Sequence, residues 1–241
     1  MTIGPTQQCI NAISTAIQNN DREFVRKSVT PERINQPILY EECFGKCLTP
    51  LEYATCYNAI EAGKELIALK AKINQVNQVG ETPLHLSIRN AAYFGSSQFS
   101  ELLLANGADV NKKEKYAQSP PALALIERNF EIFNMLFKKG ASLLTRSGPK
   151  QETLLMTSLR VDEINIMRSL LDKGLHPKTT NAKGMSSLMI AAQLGRVKMI
   201  PILIQYGADP NQVNVLDKNK RAMDYATEAA KKLLLGCNDG K

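Results

Sequence analysis

One pattern returns five times in this chain at an interval near 33 residues. The run Thr82-Pro83-Leu84-His85-Leu86-Ser87 leads through Leu102-Leu103-Leu104 to Asn106-Gly107-Ala108-Asp109-Val110-Asn111. Ser186-Ser187-Leu188-Met189-Ile190-Ala191-Ala192 leads through Ile202-Leu203-Ile204 to Gly207-Ala208-Asp209-Pro210-Asn211 in the same order. Looser copies begin at Thr49, Ser119 and Thr153, so the five starts lie 33, 37, 34 and 33 residues apart. A period of this length makes each copy one supersecondary unit. Such a unit buries its apolar face only against its neighbours, so the chain must fold as a stack.

The chemistry inside one copy predicts two helices. Thr or Ser at the start can cap a helix, and Pro50, Pro83 and Pro120 follow at the first helical position, where an amide proton has no intrahelical partner. Ala54, Ala124, Ala191 and Ala192 give the first helix a small-residue face that lets neighbouring helices approach. A second helix carries the bulky aliphatic residues. Gly107, Gly140, Gly174 and Gly207 follow it, where a left-handed cap favours glycine. Lys70 stands where the copy starting at Thr49 should have that glycine, and Pro121 stands where Ser119's copy should have leucine. Pro201 falls near the first turn of its helix, where it costs little. The polar stretch after each glycine is expected to turn back as a hairpin.

With its Thr-Pro-Leu-His run and this period, the sequence resembles the ankyrin-repeat family over residues 8–236. The resemblance implies an all-α solenoid of stacked helix-turn-helix units with hairpin loops. It gives a single domain over 1–241, with units near 8–40 (a cap), 41–78, 79–115, 116–149, 150–182, 183–216 and 217–236 (a cap). It also implies that the hairpins and first helices line a groove that holds partners. The residues expected there are Tyr57, Arg89, Asn90, Ile126, Arg160 and Gln193, joined by Lys112, Lys113, Lys115, Tyr116, Arg146, Lys150, Lys178, Lys183, Lys218 and Lys220 of the hairpins. Leu103 followed by Asp109-Val110-Asn111 is similar to the pattern that asparaginyl hydroxylases modify in this family, which makes Asn111 a candidate modification site whose side chain should also fix its turn. Ankyrin repeats are frequent in bacterial effectors, so action on a host protein is an alternative that the resemblance carries.

Charge points to the kind of partner. Residues 1–120 carry 12 basic and 12 acidic side chains, and residues 121–241 carry 18 and 11, so the whole net charge of +7 lies in the second half. The four later hairpins are each basic, and stacked they should form a ridge that favours an acidic segment of another protein. Tyr116 is the one aromatic residue among those basic hairpins, too few to interleave bases with charge, so nucleic acid is not the expected partner.

Catalysis finds little support. His85 belongs to the repeat signature and should bond backbone or a hydroxyl. His176 lies in a turn, and no phosphate-loop, dinucleotide or metalloprotease motif occurs. Cys43, Cys47 and Cys56 have no histidine within 25 residues, which argues against a zinc site; no cofactor or metal is expected. An odd count of five cysteines without an export signal points to free thiols in the cytoplasm, or in a host's cytoplasm for an effector. No uncharged apolar run reaches the ~18 residues of a membrane span. The expectation is a monomeric, non-enzymatic protein-binding module. The competing reading is an enzyme or inhibitor that uses two irregular loops, 36–48 and 90–98.

Overall fold

A Ser or Thr N-cap marks where each of the five repeated first helices begins. Our computed structural model of the chain describes residues 5–37 and 48–236. Thr49, Thr82, Ser119, Thr153 and Ser186 are all N-caps in extended conformation, the five positions read as repeat starts. They open the first helices α3 (Pro50–Cys56), α5 (Pro83–Phe94), α7 (Pro120–Ile126), α9 (Leu154–Arg160) and α11 (Ser187–Gln193). The second helices are α4 (Ile60–Ala68), α6 (Gln98–Ala105), α8 (Phe130–Lys138), α10 (Ile164–Asp172) and α12 (Ile200–Gln205). A pair at each end, α1 (Pro5–Gln18) with α2 (Arg22–Ser28) and α13 (Ala222–Tyr225) with α14 (Glu228–Gly236), takes the cap positions. Pro201 occupies the first turn of α12, as its spacing requires.

The second helices end as expected. Gly107, Gly140, Gly174 and Gly207 have φ between 85° and 89°, the left-handed cap. Lys70 adopts the same conformation at φ 70°, so the missing glycine changes the strain of that cap and not its shape.

Two compact units are described separately. The first holds residues up to 115 together with 119–141, and the second holds 116–118 with 142–241. In the first, α1, α3, α5 and α7 pack side by side as one layer, and α2, α4, α6 and α8 as another. In the second, α9, α11 and α13 form the first layer, with α12 against α11 and α14. Ala54, Ala124, Ala191 and Ala192 are fully buried, which makes the small-residue faces the contact surfaces of the first layers. The only strands among the described residues, β1 (Arg146–Ser147) and β2 (Glu152–Thr153), are the two sides of one hairpin.

One departure from the expected repeat shape is large. Residues 90–98 were expected as an irregular loop, but α5 continues through Ala91 and Ala92 to Phe94 and stops at Gly95, φ 61°. The inserted residues include good helix formers, so they lengthen the helix instead of looping out. Most of the other irregular loop, with Cys43 and Cys47, lies outside the described residues.

Position N3 carries a buried nitrogen or oxygen acceptor in α3 and α5. His85 Nδ1 accepts from the Thr82 amide at 3.2 Å and lies 2.8 Å from its hydroxyl, the structural role expected of it. Glu52 does the same work in its repeat, accepting from the Thr49 amide at 2.7 Å and hydroxyl at 2.9 Å through Oε2. It is 1% exposed, and its Oε1 meets no donor among the described residues. Burial pushes its carboxyl above the usual carboxylate range; the Thr49 bonds oppose this, and nearby Glu81 adds to the rise. A raised folded pKa gives stability that is complete below the unfolded value of about 4.3 and is lost as pH climbs through the folded one. Glu52→Gln should therefore melt a few degrees above the parent at pH 7, a gain of about 1 kcal/mol, with the gap closing as pH falls toward about 4. Melting curves from pH 4 to 8 check this; a gap independent of pH contradicts it.

Candidate protein-binding surface

The hairpins are built around one buried polar position. Asn77 Oδ1 accepts from the amides of Val79 and Glu81, both at 3.0 Å. Asn181 Oδ1 accepts from Lys183 and Met185 at 2.9 and 3.1 Å, and Asn214 Oδ1 from Leu216 at 3.0 Å. All three asparagines are buried. The sequence reading missed them, although Asn77 and Asn181 share the spacing N-x-x-G-x-[TS] ahead of their caps. Here Asn folds the loop onto its own carbonyl oxygen, a local device available to few residue types.

Adjacent hairpins are also bonded to each other. In the first unit the Lys115 amide donates to Val79 O at 3.2 Å. In the second, Gly148 donates to Ala117 O at 3.1 Å, Ala182 to Lys150 O at 2.8 Å, and Asn214 Nδ2 to Lys183 O at 3.0 Å. Gly184, φ 71°, lies so close to Asn214 that an added Cβ would stand 2.1 Å from its Oδ1. Tyr225 completes the last hairpin: its hydroxyl donates to Asp217 at 2.7 Å and accepts from Asn214 Nδ2 at 3.0 Å.

This framework sorts the candidate binding residues. Five are engaged within the fold. Arg89 bonds Glu81 at 3.0 Å and lies 3.5 Å from Glu127. Arg160 holds Glu152 with two bonds, at 2.6 and 2.5 Å. Arg146 turns onto main chain, donating to Thr180 O at 2.8 Å and Gln151 O at 3.3 Å. Lys112 reaches Asn74 O at 3.3 Å, and Lys220 pairs with Asp217 at 3.1 Å while lying over the Tyr225 ring. In both arginine pairs the glutamate precedes the N-cap by one residue and the arginine stands on the same helix, eight residues after the glutamate.

The rest face solvent. Lys113, Lys115, Lys150, Lys178, Lys183, Gln193 and Lys218 are exposed, with Tyr57, Tyr116 and Ile126 at 37%, 60% and 44%; Asn90 is half-buried. Lys150, Lys178, Lys183 and Lys218, all in the second unit, form no ion pair among the described residues. Asn111 is exposed, and its turn is closed by the Asp109 carboxylate, which accepts the Asn111 amide proton at 2.9 Å. Asp209 closes the turn at Asn211 in the same way. The asparagine at the equivalent place one repeat earlier, Asn74, reaches forward instead, accepting from Asp109 N at 2.8 Å and donating to Gly107 O at 3.1 Å.

Among the described residues no helix is long and apolar enough to cross a membrane. No group of three or more His, Cys, Asp or Glu that could hold a metal ion occurs among them either.

The family described as ankyrin repeats matches in three copies, over residues 13–114, 51–147 and 122–214, and the chain belongs to it. Ankyrin repeats are as a family protein–protein interaction modules, and the fold is typically a non-catalytic scaffold. The chain is 28% identical over 151 residues to the Arabidopsis thaliana potassium channel AKT2/3, covering 62% of this chain and 18% of the channel. It is 26% identical over 141 residues to the Danio rerio neurogenic locus notch homolog protein 1, covering 58% of this chain and 6% of that protein. The chain thus spans less than a fifth of either relative. Among solved structures it is similar to the ankyrin repeat domain of Bcl-3 (TM-score 0.78, 17% identity, 93% of this chain and 97% of that one). It is also similar to a chain in the complex of the Bdellovibrio bacteriovorus endopeptidase Bd0816 with its immunity protein Bd3460 (TM-score 0.67, 24% identity, 79% and 97%).

Proposed function

We propose that this chain is a non-catalytic binding module that takes an acidic segment of another protein along the basic hairpins of its second unit. The observation that carries the reading is the set of four exposed lysines, Lys150, Lys178, Lys183 and Lys218, none of which forms an ion pair among the described residues. They stand on hairpins tied to one another by hydrogen bonds. A partner therefore meets positive charge on a framework already in place, which limits the entropy lost on binding. Arg89, Arg146, Arg160 and Lys220 support the framework and are not the recognition groups in this reading.

Reversing the four lysines to glutamate should leave the melting temperature within a few degrees, because all four are exposed, and should weaken partner capture by tenfold or more. Binding by the parent should fall as ionic strength rises, since exposed charges are screened over about 8 Å at physiological salt. Quantitative affinity capture from lysate at graded salt, parent against variant, checks both. Capture indifferent to salt and to the reversal would leave the lysines as a solvated rim.

A further inference from the structure

The tips of the second unit's hairpins are not uniformly basic. Val215 and Leu216, at the tip of the last hairpin, are 73% and 69% exposed, and Tyr116, in the segment bonded to the hairpin at Gly148, is 60% exposed. Between these apolar ends lie Lys150 and Lys183, both exposed. The order along the bonded row is therefore Tyr116, Lys150, Lys183, Leu216. Leu216 is held at the surface by its loop, because its amide is fixed by Asn214 Oδ1 at 3.0 Å. Asp217 beside it is matched by Lys220 at 3.1 Å, which leaves Lys183 and Lys218 to set the local charge. Two adjacent exposed aliphatic side chains at a loop tip offer a partner an apolar contact beside the charge.

The bonding gives the row a length. Each hairpin contributes two chain segments, and hydrogen-bonded segments lie about 4.8 Å apart, so the row advances about 10 Å per hairpin. Three steps separate Tyr116 from Leu216, about 30 Å, which an extended chain crosses in about nine residues. We propose that this row receives an extended acidic segment carrying two apolar side chains about nine residues apart, one over Tyr116 and one over Val215 and Leu216, with carboxylates between them over Lys150 and Lys183. The proposal rests on the acidic-partner reading above and adds the anchors and their spacing. A lipid surface fits less well, because the apolar ends stand far apart with charge between them instead of forming one insertable patch.

The test uses the full chain, three labelled twelve-residue acidic peptides and a neutral glycine-serine peptide of the same length as control, in fluorescence anisotropy. The first has leucine at positions 2 and 11 with glutamates between. The second has the same composition with the two leucines adjacent. The third replaces both leucines with serine. The spaced peptide should bind roughly tenfold tighter than the other two, the scale expected for covering exposed aliphatic side chains. The double variant Val215→Ser, Leu216→Ser should melt like the parent and bind the spaced and adjacent-leucine peptides alike, still weakened by salt. If the parent binds all three equally and more tightly than a neutral peptide, the anchors are idle and the proposal fails, while the acidic-partner reading stands. If none exceeds the neutral peptide, both fail. Tighter binding to phosphatidylserine-containing vesicles than to any peptide, lost in the double variant, would assign the row to a membrane and overturn the proposal.

Discussion

Leu188→Asp is expected to unfold the middle of the second unit. Leu188 lies in α11, 1% exposed, in the first layer where α11 packs against α9 and α13. Removing the leucine forfeits burial and leaves space that its neighbours fill incompletely, a loss of about 2–5 kcal/mol for truncations of this kind. The aspartate then brings a charge into an apolar layer without a partner, adding several kcal/mol unless it takes up a proton. The sum rivals the total stability of a typical domain, about 5–15 kcal/mol. Repeat stacks draw stability from nearest neighbours, so hydrogen exchange should accelerate across α9, α11 and α13 together. Leu188→Met conserves volume and should cost under about 1.5 kcal/mol, which separates the charge from mere substitution. Exchange by mass spectrometry that shows native protection in the aspartate variant would mean that α11 is not the packing element described here.

How far sequence predicts such details depends on how local their cause is. The N-caps at Thr49, Thr82, Ser119, Thr153 and Ser186 and the left-handed glycines were legible, because each is decided by one residue and its near neighbours. The helix running on to Phe94 was not. Counting residues revealed an insertion after Arg89, but an insertion carries no sign of whether it loops out or extends the helix. The engagement of Arg89 and Arg160 was hidden for another reason. Glu81 and Glu152 lie eight residues earlier, beyond any helical spacing, and meet the arginines only because the hairpin returns its end to the helix. Nothing local to Arg146, expected among the partner-binding hairpin residues, shows that Thr180 O, 34 residues on, accepts from it. Charge read from sequence therefore does not show which groups the fold itself engages.

The hairpin that carries Val215 and Leu216 should depend on Asn214 more than on any charged residue around it. Asn214 is 1% exposed, and its amide group makes three bonds: to Lys183 O at 3.0 Å, to the Tyr225 hydroxyl at 3.0 Å, and from the Leu216 amide at 3.0 Å. Asn214→Ala removes all three, so a loss of about 3 kcal/mol is expected, near 1 kcal/mol per bond. Gly184→Ala should also destabilise, for two reasons that can be separated. Its φ of 71° disfavours any side chain, at about 1–2 kcal/mol, and the new Cβ would stand 2.1 Å from Asn214 Oδ1, which those bonds hold in place. Only the first cost survives once Asn214 has been truncated. In the double variant the two losses should therefore fall short of additivity by about 1 kcal/mol or more, the signature of side chains in contact. Chemical denaturation of the four proteins closes the cycle. Additive losses would show that Gly184 and Asn214 act independently, and would remove the close packing of these two hairpins as the reason glycine stands at 184.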